Sequence, residues 1–259
     1  MSPIQGLLKK DYRISRLMFL TWVGAVLLLM AFGFGFSAYT AQPVGTLPIF
    51  VIIALSQFVF GPIMMLTLLN IEGKNQLWLY SPRASYTLLL SKFGVIFTYQ
   101  IVIQLLLTIY AAISLFWFGK SVYEQIGAGF FTQSISWLNV LLLLASISLT
   151  CWITFFWTVY QSLKSKPKIR PFRWVIIILL AFFYSLFEAL LLEIDTINEF
   201  ILRYKFNLFT EASLQYADGE WSALFYTTDV PIIPIIYYSI LAVVLFIAAA
   251  RLLEKKVEV

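Results

Sequence analysis

The chain has 259 residues, of which 61% are apolar, 18% aromatic and only 12% charged, with a mean hydropathy of +0.88 and a formal charge of +5. That charged share is about half the share found in ordinary soluble domains, so a water-soluble globule is excluded and lipid must be the main solvent. There is no His and a single Cys, Cys151, which removes His/Cys zinc sites, Ser-His-Asp catalysis, histidine-ligated haem and any disulfide within the chain.

In residues 1–16, Ile4, Leu7, Leu8 and Tyr12 recur at helical spacing against Lys9, Lys10, Arg13 and Arg16. This predicts a short amphipathic helix in the membrane interface. Residues 17–71 then run for 55 positions without Asp, Glu, Lys or Arg, enough for two crossings at about 20 residues each. The polar break at 37–46, with Gln42, Pro43 and Gly45, separates span 1 (17–36) from span 2 (47–70). Span 1 is longer than the roughly 7–15 apolar residues of a cleaved signal core and reads as a retained helix.

The next segment, 71–92, is too long for a simple turn. Glu72, Trp78, Leu79 and Tyr80 mix charge with bulky apolar groups, and Ser81-Pro82 resembles an N-cap followed by a first-turn proline. The expectation is a short helix over 72–80, a break, and a long helix feeding span 3 (93–118). Span 4 is 135–160, and span 5 is 174–192 with one acid, Glu188. In 193–229, Ile197, Phe200, Ile201, Tyr204, Leu208 and Leu214 are spaced as one or two amphipathic helices, and span 6 is 230–250. The predicted fold is all-α, one transmembrane domain of six helices, since lipid tolerates no unpaired backbone and no alternating pattern suggests a barrel.

Lys and Arg number four before span 1, none between spans 1 and 2, then three, one, five and two in the following connections, and three after span 6. Fifteen of the 18 therefore fall on one side, which the positive-inside rule makes cytoplasmic, both ends of the chain included. The basic character thus reflects orientation against membrane lipid, and no nucleic-acid partner is expected. Eight acids lie on the other side, seven of them in 193–229. Glu188 is the most expensive residue in a span; lining an outer vestibule, contacting a cation or proton, and snorkelling to the headgroups are all open to it. Gln57, Gln100 and Gln104 suit interhelical hydrogen bonds. No internal repeat and no G-x-x-x-x-G-K-[ST] motif is present, so no ATP hydrolysis is expected of this chain.

The opening Leu7-Leu8-Lys9-Lys10-Asp11 and the segment EGKNQLWLYSPRASYTLLLSK at 72–92, within this six-span arrangement, resemble the membrane subunit of bacterial ABC-2 type (type V) ABC transporters. At the level of architecture the resemblance covers the whole chain; in sequence it is specific around 72–92. It implies an interfacial elbow helix at the start, a cytoplasmic coupling helix opened by Glu72 with Trp78, Leu79 and Tyr80 nearest the ATPase, and a break at Ser81 and Pro82. It also implies extracellular helices in the 5–6 loop, although that loop here is unusually polar and acidic.

The expected function is that of a permease subunit in the bacterial cell membrane, not an enzyme. It would be energised by a separate ATPase dimer holding ATP and Mg, and paired with a second permease subunit, identical or paralogous. Spans 2 and 5 would line the path, which makes Gln57, Tyr184 and Glu188 lining candidates. Export of amphipathic peptide, antibiotic or lipid-like molecules fits the aromatic, weakly charged interior. A non-ABC carrier or substrate-binding membrane module is the alternative. A lipid-modifying enzyme ranks below both, because the inner acids Asp11, Glu72, Glu254 and Glu258 are scattered in sequence.

Overall fold

The computed structural model describes residues 3–40, 43–75, 85–118, 128–165, 168–217 and 220–254. Its main elements are α1 (Pro3–Thr40), α2 (Leu47–Asn75), α3 (Ser85–Ile113), α4 (Ala128–Ser162), α5 (Arg173–Leu192), α6 (Asp195–Arg203), β1 (Lys205–Ala217), β2 (Glu220–Pro231) and α7 (Ile232–Leu252). A wider π turn, Ser114–Phe118, prolongs α3. Among the described residues, every helix except α6 is long and apolar enough to cross a bilayer. The shortest of these six, α5, has 20 residues, about 30 Å at 1.5 Å per residue, which matches a hydrocarbon core of about 30 Å. The chain is a multi-pass membrane protein, and all six predicted spans are present.

Burial is arranged for lipid. Leu17, Leu28, Phe32, Trp174 and Ile178 are exposed, whereas Asp11, Gln57, Glu72, Lys92, Gln100, Thr154 and Thr158 are buried. Helices have no hydrophobic reason to associate in lipid, so close packing and interhelical polar bonds must hold them. The closest seam joins α2 to α4. On α4, Ser146, Thr150, Thr154, Thr158 and Ser162 recur every fourth residue, and all are buried. Thr150 and Thr154 donate to the carbonyls of Ser146 and Thr150 at 2.7 and 2.6 Å, which satisfies their hydroxyls within the helix. Gly61 of α2 faces this row so closely that a Cβ there would lie 2.6 Å from Ser146 Oγ and 2.7 Å from Thr150 Oγ1. Across the same seam, Trp157 Nε1 donates to Asn70 Oδ1 at 2.8 Å.

Three expectations change in detail. The N-terminal segment is helical as predicted, but it runs without a break into span 1, and α1 is one helix of 38 residues. One face of its first turns packs on protein, with Asp11 and Ser15 buried, while Ile4 and Tyr12 on the other side are exposed. Second, Glu72 does not open a separate helix. It lies near the end of α2, which continues to Asn75 and passes through Pro62 without interruption. Third, the segment after span 5 holds one helix, α6, with Asp195 in its first turn and Arg203 in its last, the favourable order for the helix dipole. Leu208 and Leu214 belong instead to β1, which pairs antiparallel with β2 from Lys205↔Pro231 to Ala217↔Glu220, with a register shift between Phe209 and Glu211.

Candidate functional site

The starts of α1 and α3 and the end of α2 meet at the basic end of the bundle, and each contributes charge. Lys92 Nζ of α3 lies 2.7 Å from Glu72 Oε2 of α2 and 3.3 Å from Asp11 Oδ1 of α1. Lys10 donates to Glu72 Oε1 and lies 3.6 Å from Asp11 Oδ1. Ser91 Oγ donates to Asp11 Oδ2 at 2.6 Å. Asp11, Glu72 and Lys92 are buried, and Lys10 is about one-third exposed, with a side-chain accessibility of 35%.

Two acids and two bases leave this cluster neutral. Neutrality decides whether it can exist, because an unpaired buried ion is far more costly than a paired one. Breaking a buried pair by removing one member costs about 3–5 kcal/mol, while the net contribution of the intact pair is small. The arrangement therefore specifies which three helix ends meet more than it adds stability. Next to it, Ser15 Oγ donates to the Asp11 carbonyl at 2.7 Å and lies 3.2 Å from Tyr99 Oη. The Tyr99 ring stacks on Phe19 with centroids 4.0 Å apart and planes 6° from parallel. These contacts extend the α1–α3 seam inward from the charges.

Glu72 is the one predicted coupling residue found in this cluster. Trp78, Leu79, Tyr80, Ser81 and Pro82 lie outside the described residues. The sequence does not announce that Lys10, Asp11, Ser91 and Lys92 gather with Glu72 in one cluster, although all four stand within the two stretches that carried the resemblance.

The lining candidates separate into two places. Gln57 is fully buried between α2 and α3. Its Nε2 donates to the Ile103 carbonyl at 3.2 Å, and Gln100 Nε2 donates back to the Gln57 carbonyl at 3.1 Å. The Oε1 atoms of both glutamines lack a hydrogen-bond partner among the described residues. Gln100 also borders a cavity of about 300 Å³ between α3 and α4, lined mainly by apolar groups including Phe93, Phe97 and Ile147. Tyr184 and Glu188, in contrast, come together one turn apart on α5. Tyr238 of α7 donates to Glu188 Oε1, and the hydroxyls of Tyr184 and Tyr237 are 3.4 Å apart. Trp152 of α4 meets Tyr184 edge to face at 4.6 Å. Among the described residues no group of three or more His, Cys, Asp or Glu could hold a metal. Cys151 is buried beside Ala242 and Leu245, where it packs as a small apolar side chain.

The chain is similar to a protein of Bacillus subtilis (strain 168), "Uncharacterized protein YhcE", with 29% identity over 268 aligned positions that cover the full length of both chains. No family model matches it, and no solved structure does.

Proposed function

We propose that this chain is the membrane-spanning subunit of an ATP-driven ABC-2 type exporter, energised by a separate ATPase that docks on the connection between α2 and α3. The observation that carries the reading is the buried charge cluster. It ties the start of α1, the end of α2 and the start of α3 into one joint, directly at the base of that connection. A load applied to the connection is thereby passed to three spans together, which is the mechanical requirement for coupling a soluble motor to a bundle of helices. A chain with no phosphate-binding loop of its own needs such a partner if its transport is driven by ATP.

On this reading the basic end is cytoplasmic, in keeping with 15 of the 18 Lys and Arg on that side. Two copies, or one copy and a paralogue, form the pathway. α5 has no buried residue in the single chain, which suits a helix completed by a neighbouring subunit and placed beside the substrate route. The aromatic, weakly charged spans suit amphipathic peptides, antibiotics or lipid-like molecules more than small ions.

The test is co-purification from the native membrane of the tagged chain with a nucleotide-hydrolysing partner, in wild type and in a variant with alanine at Trp78, Leu79 and Tyr80. The reading expects association and ATP turnover in wild type and loss of both in the variant. Association and turnover that survive all three alanines overturn the coupling assignment. Nucleotide-independent transport by the purified chain in liposomes supports the carrier reading instead.

A further inference from the structure

We infer that Glu188, with Tyr184, Tyr237, Tyr238 and Trp152, forms a binding site for the ammonium group of an amphiphilic amine. As a statement about substrate this rests on the permease reading; as binding chemistry it stands and is tested without it.

The argument begins with charge. All ion pairs among the described residues lie in the cluster at the basic end, so no described cationic side chain pairs with Glu188. An acid within a span normally faces a partner or a pathway. Here the partner supplied by the fold is a neutral phenol: Tyr238 donates to Oε1. That bond orients the carboxylate without cancelling its charge, and Oε2 is left available to a second donor.

The surroundings decide what kind of donor fits. Tyr237 and Tyr238 pack edge to face with centroids 5.3 Å apart, and Tyr184 carries Trp152 against it at 4.6 Å. Tyr238 touches the carboxylate, the Tyr184 and Tyr237 hydroxyls meet, and Trp152 packs on Tyr184; electron-rich rings grouped with a carboxylate in this way attract an organic cation whose charge the carboxylate takes. A calcium or magnesium ion needs six or more oxygen ligands, or several retained waters, and one carboxylate with phenol hydroxyls in an apolar setting offers too few. An ammonium group needs only one anion and a few ring faces.

Access fits an amphiphile. Tyr237 and Tyr238 are 37% and 41% exposed, and α5 buries no side chain, so the site opens at the side of the bundle. Phe183 and Phe187 of α5 are also exposed and give an apolar tail a surface beside the charged group. Beyond the end of α5, residues 193–229 carry seven acids against two bases, a net −5. Such a field raises the local concentration of cations at this end of the bundle.

The experiment uses the full chain in nanodiscs made only of phosphatidylglycerol, which has no amine headgroup. Radiolabelled decylammonium is the probe, decanol is the uncharged control, and partition into empty discs is subtracted. The expected result is saturable binding of the ammonium probe that Glu188→Gln weakens at least about tenfold, the loss of one charge-assisted contact, with decanol binding unchanged. Tyr238→Phe is expected to weaken the probe less than Glu188→Gln, since it frees the carboxylate without removing it. Thermal melting of each variant confirms that it is folded. A repeat with phosphatidylethanolamine added identifies the source: displacement of the probe assigns the site to a lipid headgroup, and no displacement assigns it to a free amine. Both results support an ammonium site. Absence of saturable binding to the native chain overturns the inference, as does a Glu188→Gln variant that binds the probe as tightly as the native chain or loses decanol equally. No ATPase is present in this assay, so failure of the permease reading leaves its outcome untouched.

Discussion

Lys92→Met keeps most of the bulk of the side chain but removes the cation that touches both buried carboxylates, at 2.7 Å for Glu72 and 3.3 Å for Asp11. The cluster then holds Asp11, Glu72 and Lys10 and carries a net −1. Lys10 cannot repair this. It already bonds Glu72, stands 3.6 Å from Asp11 and is partly exposed. The expected loss is about 3–5 kcal/mol, the range for breaking a buried ion pair from one side. Adding Glu72→Gln to Lys92→Met restores neutrality, with Asp11 still held by Ser91 and Lys10. The double variant is therefore expected to be more stable than Lys92→Met alone, although it lacks one more charged group. Unfolding of the detergent-solubilised chain by increasing SDS fraction, followed by tryptophan fluorescence, measures both. A loss below about 1 kcal/mol for Lys92→Met, or a double variant as unstable as the sum of the two single ones, refutes the reasoning, because coupled neighbours must depart from additivity.

Gly61→Leu places a side chain where even a Cβ would meet Ser146 Oγ at 2.6 Å and Thr150 Oγ1 at 2.7 Å; a loss of about 1–3 kcal/mol is expected from overpacking, visible in the same unfolding assay and partly recovered by Ser146→Gly. Gln100→Leu removes a bond to the Gln57 carbonyl, but it also removes a buried Oε1 that has no partner among the described residues. With interhelical bonds in membranes near 0.6 kcal/mol and an orphan acceptor carrying its own penalty, the two effects nearly cancel, and a change within about 1 kcal/mol is expected.

The spans were readable because lipid imposes a simple rule on helix composition, and hydropathy follows it segment by segment. How the ends of those spans meet was not readable in the same way. Lys10 and Glu72 are 62 positions apart, and Asp11 and Lys92 are 81 apart, and hydropathy says nothing about which helices are neighbours. Lys10 and Lys92 read as cations that set orientation and Glu72 as the opening of a coupling helix, and only their convergence reveals the joint. Tyr184 and Glu188 were legible as a pair because four residues make one turn, whereas their α7 partners Tyr237 and Tyr238 depended on tertiary packing.

The segment after span 5 shows a different limit. A 3.6-residue period through Ile197, Phe200 and Ile201 does mark α6, and carrying it on to Leu208 and Leu214 was the error. The runs on either side of Asp218-Gly219 are rich in aromatic and β-branched residues, among them Phe206, Phe209, Trp221, Phe225, Tyr226 and Thr227. That combination favours a hairpin over a helix, a signal that the reading by helical period alone does not use.

The account stands most directly on which side of the membrane the charged joint lies. Single cysteines at Lys166, Lys255 and Ser222, each in a Cys151→Ala background, can be labelled in intact cells with an impermeant maleimide. The account predicts labelling of Ser222→Cys from outside, and of Lys166→Cys and Lys255→Cys only after the membrane is opened. Labelling of Lys166→Cys or Lys255→Cys in intact cells, with Ser222→Cys protected, contradicts it and removes any cytosolic ATPase from the α2–α3 connection.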